Sequence, residues 1–371
     1  MRILTRYILQ EQGSPFITGL LFFTFILLLN RLFVLADLII TKKVETFLVV
    51  KLFLLMLPSI ISITVPMSVL ISVIISIGRL SSDSEITALQ ASGISSYMIY
   101  KPPVISSIVI MLFMILFNDT LLVYSNKNYN KTFVQILKSS PVTVLEDKIF
   151  SSLGNRTIWV ERIDRENGKL DNIILYNKND GEGWDVIKAK WGLWKNNSDG
   201  SKMLVLYEGR FFSSKINNAS FSVIDFSNGN AEILLTDSGI DYDDSKDKLN
   251  PAEMNSIQLY SKLRTVKKTF MEDRDIARYW VELFKKQAIP FSCFVFSIIG
   301  VPIGLFSKRS SRGIGFGISI IVFFIYYVFF MTGQSFAIRG ILYPFLGVWS
   351  ANFILLFAGC VMIIIKEKFR N

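Results

Sequence analysis

"FITGLLFFTFILLLNRLFVLADLII", residues 16–40, decides the class of protein to which this chain belongs. The run extends over 25 residues and contains only two charged side chains, Arg31 and Asp37. A helix needs about 20 predominantly apolar residues to cross the hydrocarbon core of a bilayer. Since the run is longer than the apolar part of a signal peptide, we expect it to stay as a first membrane span.

The whole composition agrees with a membrane protein. The chain is 51% hydrophobic, contains 31 Phe among 371 residues and has a mean hydropathy of +0.43. Five further apolar runs are long enough to span, so the sequence predicts a polytopic helical protein with six spans. The predicted spans are residues 16–40, 52–78, 103–124, 284–306, 314–336 and 344–365.

Charge is distributed unevenly along the chain. Residues 141–250 hold 14 Lys/Arg and 18 Asp/Glu, a net charge of −4. Because the whole chain has a net charge of +10, the remaining residues carry +14. Basic residues flanking membrane spans produce this pattern, whereas a nucleic-acid binder gathers positive charge on one folded face. We therefore predict no nucleic-acid partner.

Basic residues beside the spans also predict the orientation of the chain. Cytoplasmic loops carry the excess of Lys and Arg, which here places both termini in the cytoplasm and the segment after the third span on the other side. The predicted cytoplasmic set is Arg2, Arg6, Arg79, Lys101, Lys308, Arg309, Arg312, Lys366, Lys368 and Arg370, against Lys42, Lys43, Lys51 and Arg339.

The sequence excludes several classes of enzyme. It contains no histidine, which removes catalytic triads and zinc sites built on imidazole. The two cysteines, Cys293 and Cys360, both fall in predicted spans and predict neither a disulfide nor a metal cluster. We expect no catalytic residue, no metal and no cofactor.

A β-rich domain is predicted between the two groups of spans, which cover residues 1–125 and 281–371. In residues 126–280, short runs such as "NRTIWVERI" and "KMLVLYEGRFF" alternate with turn clusters. This pattern predicts an all-β domain, a sandwich or jelly roll, with connecting helices at its ends. Ile187, Ala189, Trp191 and Leu193 are expected on one face of a strand, with Lys188 and Lys190 on the other.

The polar interval "SSDSEITALQASGISSYMIY", residues 81–100, separates the second and third spans. Ser82 to Glu85 fits a capping box, and Gly93 is placed to end a helix from Asp83 to about Ser92. Such a helix is too short to be stable by itself, so it needs a packing partner.

Two partners for this short helix remain open. It packs on the ends of its own bundle, with Glu85 only a cap, or it docks into a cytoplasmic motor. The second interpretation uses Ile86 and Leu89 as apolar anchors, while Ala88 and Gly93 permit close approach. The chain contains no G-x-x-x-x-G-K-[ST] motif, so energy for transport would come from another chain.

Several segments together resemble the LptF/LptG permease family. They are "GRLSSDSEITALQASGIS" at 78–95, "VELFKKQAIPFSCFVFSIIGVPIGLFSKRSSRGIG" at 281–315, and Gly340, Pro344, Trp349 and Asn352 before the last span. The opening "RYIL", the wording "SEITALQASG" and the early Arg31 favour an LptF-like over an LptG-like member.

The resemblance implies a transport subunit of the bacterial inner membrane. Its implied partners are a paralogous permease of LptG type in a heterodimer, a cytoplasmic LptB-like ABC ATPase dimer, and periplasmic β-jellyroll bridge proteins of LptC and LptA type. Its implied cargo is lipopolysaccharide or a related acidic glycolipid. Residue by residue, Glu85 falls on the acidic position that pairs with the ATPase and Arg31 on a basic substrate position, while a second basic position is Val34 here.

Two explanations of Arg31 remain open. It lies about 22 Å along the first span at 1.5 Å per residue. The simpler explanation is that its side chain snorkels to the interface, and the other is that it binds a phosphorylated headgroup with help from Asn30. Asp119 is expected at the membrane interface, and Glu282 is expected to pair with Lys285 and Lys286 at a helix end.

Three functions therefore compete. The first is a transport subunit, the second a membrane enzyme that acts on lipid, and the third an anchor that presents a β domain. An enzyme would need acidic, Ser or Lys side chains clustered near one bilayer face, and the sequence indicates no such motif. The transport subunit is the interpretation that the sequence favours.

Overall fold

A computed structural model describes most of the chain, in stretches separated by short gaps. The described residues are 2–40, 44–139, 145, 147–153, 156–164, 168–179, 183–196, 202–215, 220–227, 229–234, 250–266, 273–306 and 312–368.

Helices dominate both ends of the chain. Six helical stretches of the described residues are long and apolar enough to cross a membrane, formed by α1, α2, α4 with most of α5, α7, α8 and α9. This confirms the predicted six-span membrane protein. The helices are α1 (Arg2–Ile40), α2 (Thr46–Ser82), α3 (Glu85–Ala91), α4 (Ser96–Asp119), α5 (Leu121–Ser139), α6 (Ser256–Val266), α7 (Asp273–Phe306), α8 (Arg312–Ile338) and α9 (Pro344–Lys368).

The third predicted span, residues 103–124, lies within one long helical stretch, Ser96–Ile136. A turn at Thr120 divides this stretch into α4 and α5, and the Thr120 amide and hydroxyl both donate to the Leu116 carbonyl, at 3.0 and 2.6 Å. The second part, α5, begins at Leu121 and continues to Ser139, into the segment 126–280, at whose ends connecting helices were predicted. Its polar stretch "NKNYNK" lacks the hydropathy on which span prediction depends.

Two compact units divide the chain. One contains residues 1–31, 55–127 and 249–371, and the other contains residues 32–54 and 128–248. The connecting helix α6 thus belongs to the helical unit, although the sequence analysis grouped it with the β domain.

The centre of the helical unit is formed by α2 and α7. Both are mostly buried along their apolar stretches. Gly300 and Gly304 of α7 face α2, and a Cβ added at Gly304 would lie 3.0 Å from the Ile77 Cβ. Small residues four apart let the two backbones approach closely, so this pair forms a tightly packed centre.

The outer helices α1, α4, α8 and α9 leave most of their apolar side chains uncovered. Phe25 and Phe33 of α1 and Phe324 of α8 are examples, each more than half exposed. Apolar surface of this extent is compatible with lipid or with another membrane subunit.

The β unit contains one antiparallel sheet of seven strands. Strands adjacent in the chain are adjacent in the sheet from β1 to β6, and β7 pairs with the free part of β5. This arrangement confirms the all-β domain inserted between the helices. The strands are β1 (Phe150–Leu153), β2 (Arg156–Asp164), β3 (Lys169–Asn179), β4 (Gly183–Asn196), β5 (Lys202–Lys215), β6 (Ser220–Asp225) and β7 (Asn230–Leu234).

The predicted shared face on β4 is wrong beyond residue 190. Ala189 is buried in the sheet core, but Gly192 is buried on that face as well, opposite Leu206, and Trp191 instead stacks on Tyr207 with ring centroids 3.9 Å apart. Residues directly opposite each other share a face, so the alternation changes phase between Ala189 and Trp191.

Two left-handed residues lie in a row across the sheet at the level where the phase of β4 changes. Asn172 in β3 and Glu208 in β5 have φ of 49° and 51°, and both lie at the level of Lys190 in the sheet. Lys190 donates to the Glu208 carboxylate at 2.9 Å across this row.

Candidate functional site

The junction of α2 and α3 differs from the predicted capping box. Ser82 is the last residue of α2, and Ser84 precedes α3 in a left-handed conformation with φ 61° and no side-chain cap. A capping serine needs extended geometry, which a residue inside a helix cannot adopt, so the box does not form. The helix spans Glu85–Ala91 and therefore begins two residues later than the predicted start at Asp83.

The predicted end of the short helix is confirmed. Gly93 has φ +82°, its amide donates to the Gln90 carbonyl at 3.0 Å, and the Ile94 amide donates to the Leu89 carbonyl at 3.1 Å. These two bonds are the pattern of a Schellman motif, which favours glycine because the left-handed position penalises a Cβ.

The five residues predicted to contact a motor separate into two groups. Ile86 is 4% exposed and packs in the helical core with Ile8, Leu80 and Ile99. The structure therefore assigns Ile86 to packing within the bundle, and we omit it from the docking surface. Glu85 and Leu89 are half-buried, whereas Ala88 and Gly93 are exposed.

Glu85 has a partner in the first helix. The Tyr7 hydroxyl donates to Glu85 Oε2 at 2.8 Å, over a sequence separation of 78 residues. A hydrogen bond to a carboxylate is stronger than a neutral one, so it restricts the rotamer of Glu85. The carboxylate still has acceptor positions for a second donor.

One turn further along α1, a second polar link reaches the same corner. Glu11 Oε2 lies 2.5 Å from Arg79 Nη1, and Arg79 Nε lies 3.5 Å from Asp83 Oδ2. The Arg79 side chain is 39% exposed and Glu11 22%, so the pair is partly shielded from solvent. Tyr7 and Glu11 are four residues apart and share one face of α1.

Gln12 attaches the same part of α1 to two more helices. Ser72 of α2 donates to the Gln12 carbonyl at 2.9 Å, and Ser106 of α4 donates to Gln12 Oε1 at 3.2 Å. Gln12 is only 6% exposed. Buried polar groups in a membrane protein are expensive to separate, so these bonds keep α1 against α2 and α4.

On its other side, α1 borders a cavity of about 570 Å³ shared with α2 and α8. Polar side chains of α1 line it together with Gly313 and Phe316 of α8. Beyond the cavity, Phe22 and Phe23 pack against Phe316 with centroids 4.8 and 6.0 Å apart. The two helices therefore touch at the aromatic rings and are separated at the start of α1.

The candidate substrate residues Asn30 and Arg31 are both exposed in α1. They lie in the apolar stretch that leaves most of its surface uncovered. Their side chains are thus accessible to lipid, and the substrate role stays a prediction.

A buried cluster joins α4, α6 and α7. Asp119 Oδ1 accepts from the backbone amide and the hydroxyl of Ser256, both at 2.7 Å, and Lys286 Nζ lies 3.5 Å from the same oxygen. Lys286 is 5% exposed and also donates to the Met254 carbonyl. Asp119 thereby caps α6 and neutralises the buried lysine.

Of the two ion pairs expected for Glu282, one with Lys285 and one with Lys286, the structure forms the first. Lys286 pairs with Asp119 and not with Glu282, whereas Glu282 pairs with Lys285 at 3.1 Å as predicted.

The residues missed by sequence reasoning are Tyr7, Glu11, Gln12 and Arg79. Tyr7 and Glu11 carry a weak signal, because their spacing puts two polar groups on one side of an amphipathic stretch of helix. Their partners could not be found from the sequence, since they lie in a helix about 70 residues away.

Comparisons with known proteins identify a family and several similar proteins. The family model described as "Lipopolysaccharide export system permease LptF/LptG" matches residues 6–366. Among curated proteins, the chain is similar to the lipopolysaccharide export system permease protein LptF of Escherichia coli K12 and of Shigella flexneri. Each is 20% identical over 362 residues, which cover 97% of this chain and 94% of the relative.

Proposed function

Because the chain belongs to the LptF/LptG family of lipopolysaccharide export system permeases, we propose that it extracts lipopolysaccharide or a related acidic glycolipid from the periplasmic leaflet of the inner membrane. Its six apolar helices and its family make it a multi-pass inner-membrane protein of a lipopolysaccharide export complex. It acts there as a permease subunit and not as an enzyme. The match over residues 6–366, which covers both helical groups and the β domain, is the observation that carries this proposal.

Energy reaches the protein through α3. A cytoplasmic ABC ATPase dimer of LptB type docks on this helix and pairs a basic side chain with Glu85. The exposed Ala88 and Gly93 and the half-buried Leu89 give a surface on which a groove of the ATPase can close. Both termini and α3 lie in the cytoplasm, as the distribution of Lys and Arg indicates.

Lipid enters along α1. Arg31 binds a phosphate of the headgroup, for which the planar guanidinium offers two parallel donors, and Asn30 adds an amide donor. A paralogous permease of LptG type covers the exposed apolar helices and completes the entry path. The exposure of α1 and α8 within this chain supports a partner at that surface.

The β domain lies in the periplasm and passes the lipid to bridge proteins of LptC and LptA type. Its outer strand β6 exposes Val223 and Ile224, at 50% and 58%, on a sheet that has no further described strand beside it. An open strand edge can pair with a strand of a second sheet, and this extends the β structure from one protein to the next.

Co-purification tests the proposal. We expect the chain, expressed with its ATPase and its paralogue, to form one complex whose extracted lipid contains phosphorylated lipid A species in mass spectra. If the ATPase is expressed with the chain but does not co-purify, or if the purified complex carries only bulk phospholipid, the result would argue against an export permease.

A further inference from the structure

The first three turns of α1 contact α3 through both polar and apolar side chains. Tyr7 donates to Glu85 at 2.8 Å, and Ile8 packs in the same buried cluster as Ile86. Glu11 pairs with Arg79 at the end of α2, immediately before the turn into α3. The start of α1 therefore contacts the α2–α3 corner at three neighbouring positions.

These contacts have different effects on Glu85. Ile8 and Ile86 fix the position of the α3 backbone, while the Tyr7 hydroxyl sets the direction of the carboxylate. A half-buried glutamate without such a donor samples several rotamers, and ordering it on binding would weaken the complex. Tyr7 orders the group before the partner arrives.

The start of α1 is bonded to some of its neighbours and borders the cavity at Gln10 and Glu11. Gln12 is bonded to α2 and α4, whereas the cavity of about 570 Å³ separates α1 from the beginning of α8. A displacement of α3 therefore moves the start of α1 together with α2 and α4, and the cavity leaves room for that motion relative to α8. The same helix continues to Asn30 and Arg31.

From these contacts we infer that the start of α1, residues 4–12, is a second coupling element, and that Tyr7 is the positioning residue of Glu85. The inference rests on the proposed function, because it assumes that Glu85 receives the ATPase. It adds direct contacts, Tyr7 with Glu85 and Ile8 with Ile86, through which α3 acts on the helix that carries the candidate lipid residues.

A double-mutant cycle between Tyr7 and Glu85 tests the inference. The variants Tyr7→Phe, Glu85→Gln and the double variant are compared in complexes with the paralogue, and the dissociation constant of the ATPase is measured. Tyr7→Phe removes one hydroxyl and no packing volume. We expect it to weaken ATPase binding roughly three- to tenfold, the effect of losing one hydrogen bond, and to have little further effect once Glu85 is Gln.

Tyr97→Phe is the matched control. Tyr97 lies near the start of α4, is 67% exposed and loses the same hydroxyl, so its replacement should leave ATPase binding unchanged. The unfolding temperature of each variant separates positioning from stability: Tyr7→Phe should change it by no more than Tyr97→Phe does.

The outcomes distinguish the inference from the proposed function. If Glu85→Gln weakens ATPase binding and Tyr7→Phe does not, or if their effects simply add, Tyr7 does not position Glu85 and the inference is wrong. If neither Glu85→Gln nor Tyr7→Phe changes binding, α3 does not dock the ATPase, and the proposed function fails with it.

Discussion

Glu85 is a charged side chain that the fold holds half-buried and hydrogen-bonded at one end of the helical unit. Reversing its charge places a lysine opposite the basic group expected on the ATPase. We predict that Glu85→Lys lowers ATPase affinity by at least ~30-fold, since disrupting a desolvated charge pair costs about 2 kcal/mol or more. Pull-down of the ATPase measures the effect.

Glu45→Lys is the control for this charge reversal. Glu45 is exposed just before α2, in a loop predicted on the opposite side of the membrane. Its reversal should leave the pull-down unchanged. Equal recovery of ATPase with Glu85→Lys and with the unchanged chain would contradict the docking role.

Arg31 offers the second prediction at this scale. Arg31→Lys keeps the charge but loses the two parallel donors, and Arg31→Glu repels a phosphate. Co-purified lipopolysaccharide should therefore decrease in the order Arg, Lys, Glu, as measured by mass spectrometry. The exposed Arg339, replaced by Glu, should have little effect, and identical losses at Arg31 and Arg339 would indicate a nonspecific charge effect.

Two elements, α8 and α9, pack closely at Gly333 and Gly347. A Cβ at Gly333 would lie 2.1 Å from the Gly347 carbonyl oxygen, a distance that no side-chain movement relieves. We predict that Gly333→Ala forces the two helices apart and lowers the thermal unfolding midpoint by several degrees. Gly317→Ala, on the same helix and with no atom within 4 Å of the new Cβ, should be neutral or slightly stabilising.

The left-handed row in the sheet gives a prediction for the β strands. Glu208 has φ 51°, where glycine is unstrained and a β-branched residue is strongly disfavoured. Its ion pair with Lys190 is exposed and contributes little to stability. Glu208→Gly should thus preserve the unfolding midpoint and Glu208→Val should lower it; the reverse order would show that the pair, and not the backbone, determines the residue.

Secondary structure was predictable where one physical signal dominated. Hydropathy located all six spans, and alternation with turn residues located β2 to β6. Hydropathy ended the third predicted span at residue 124, because polar residues follow in the same helical stretch, and alternation failed at β4, where the side chains change phase after Ala189. Local sequence does not encode either event strongly.

The candidate site was predictable only in part, for a different reason. Gly93 carried its own signal, because few other residues accept φ +82° at a helix end. Tyr7, Glu11 and Gln12 acquire their roles from helices that are distant in the chain. Contacts of this kind depend on how the helices pack, and one sequence contains no record of that packing.

The orientation of the whole molecule is testable with engineered cysteines. In a Cys360→Ala background, where Cys293 is buried, Ala88→Cys reports on α3 and Ser222→Cys on the β domain. A membrane-impermeant thiol reagent should label Ser222→Cys in intact spheroplasts and Ala88→Cys only after the inner membrane is opened. Labelling of both before opening would contradict the predicted topology.

The most direct measurement follows lipid in a reconstituted complex of the chain, its paralogue and its ATPase. With a photo-crosslinking residue in the β domain, we predict that lipopolysaccharide adducts accumulate with ATP, stay at background with a non-hydrolysable analogue and disappear with Glu85→Lys. ATP hydrolysis that proceeds while adducts stay at background, or adducts that form equally without ATP, would contradict an export permease driven through α3.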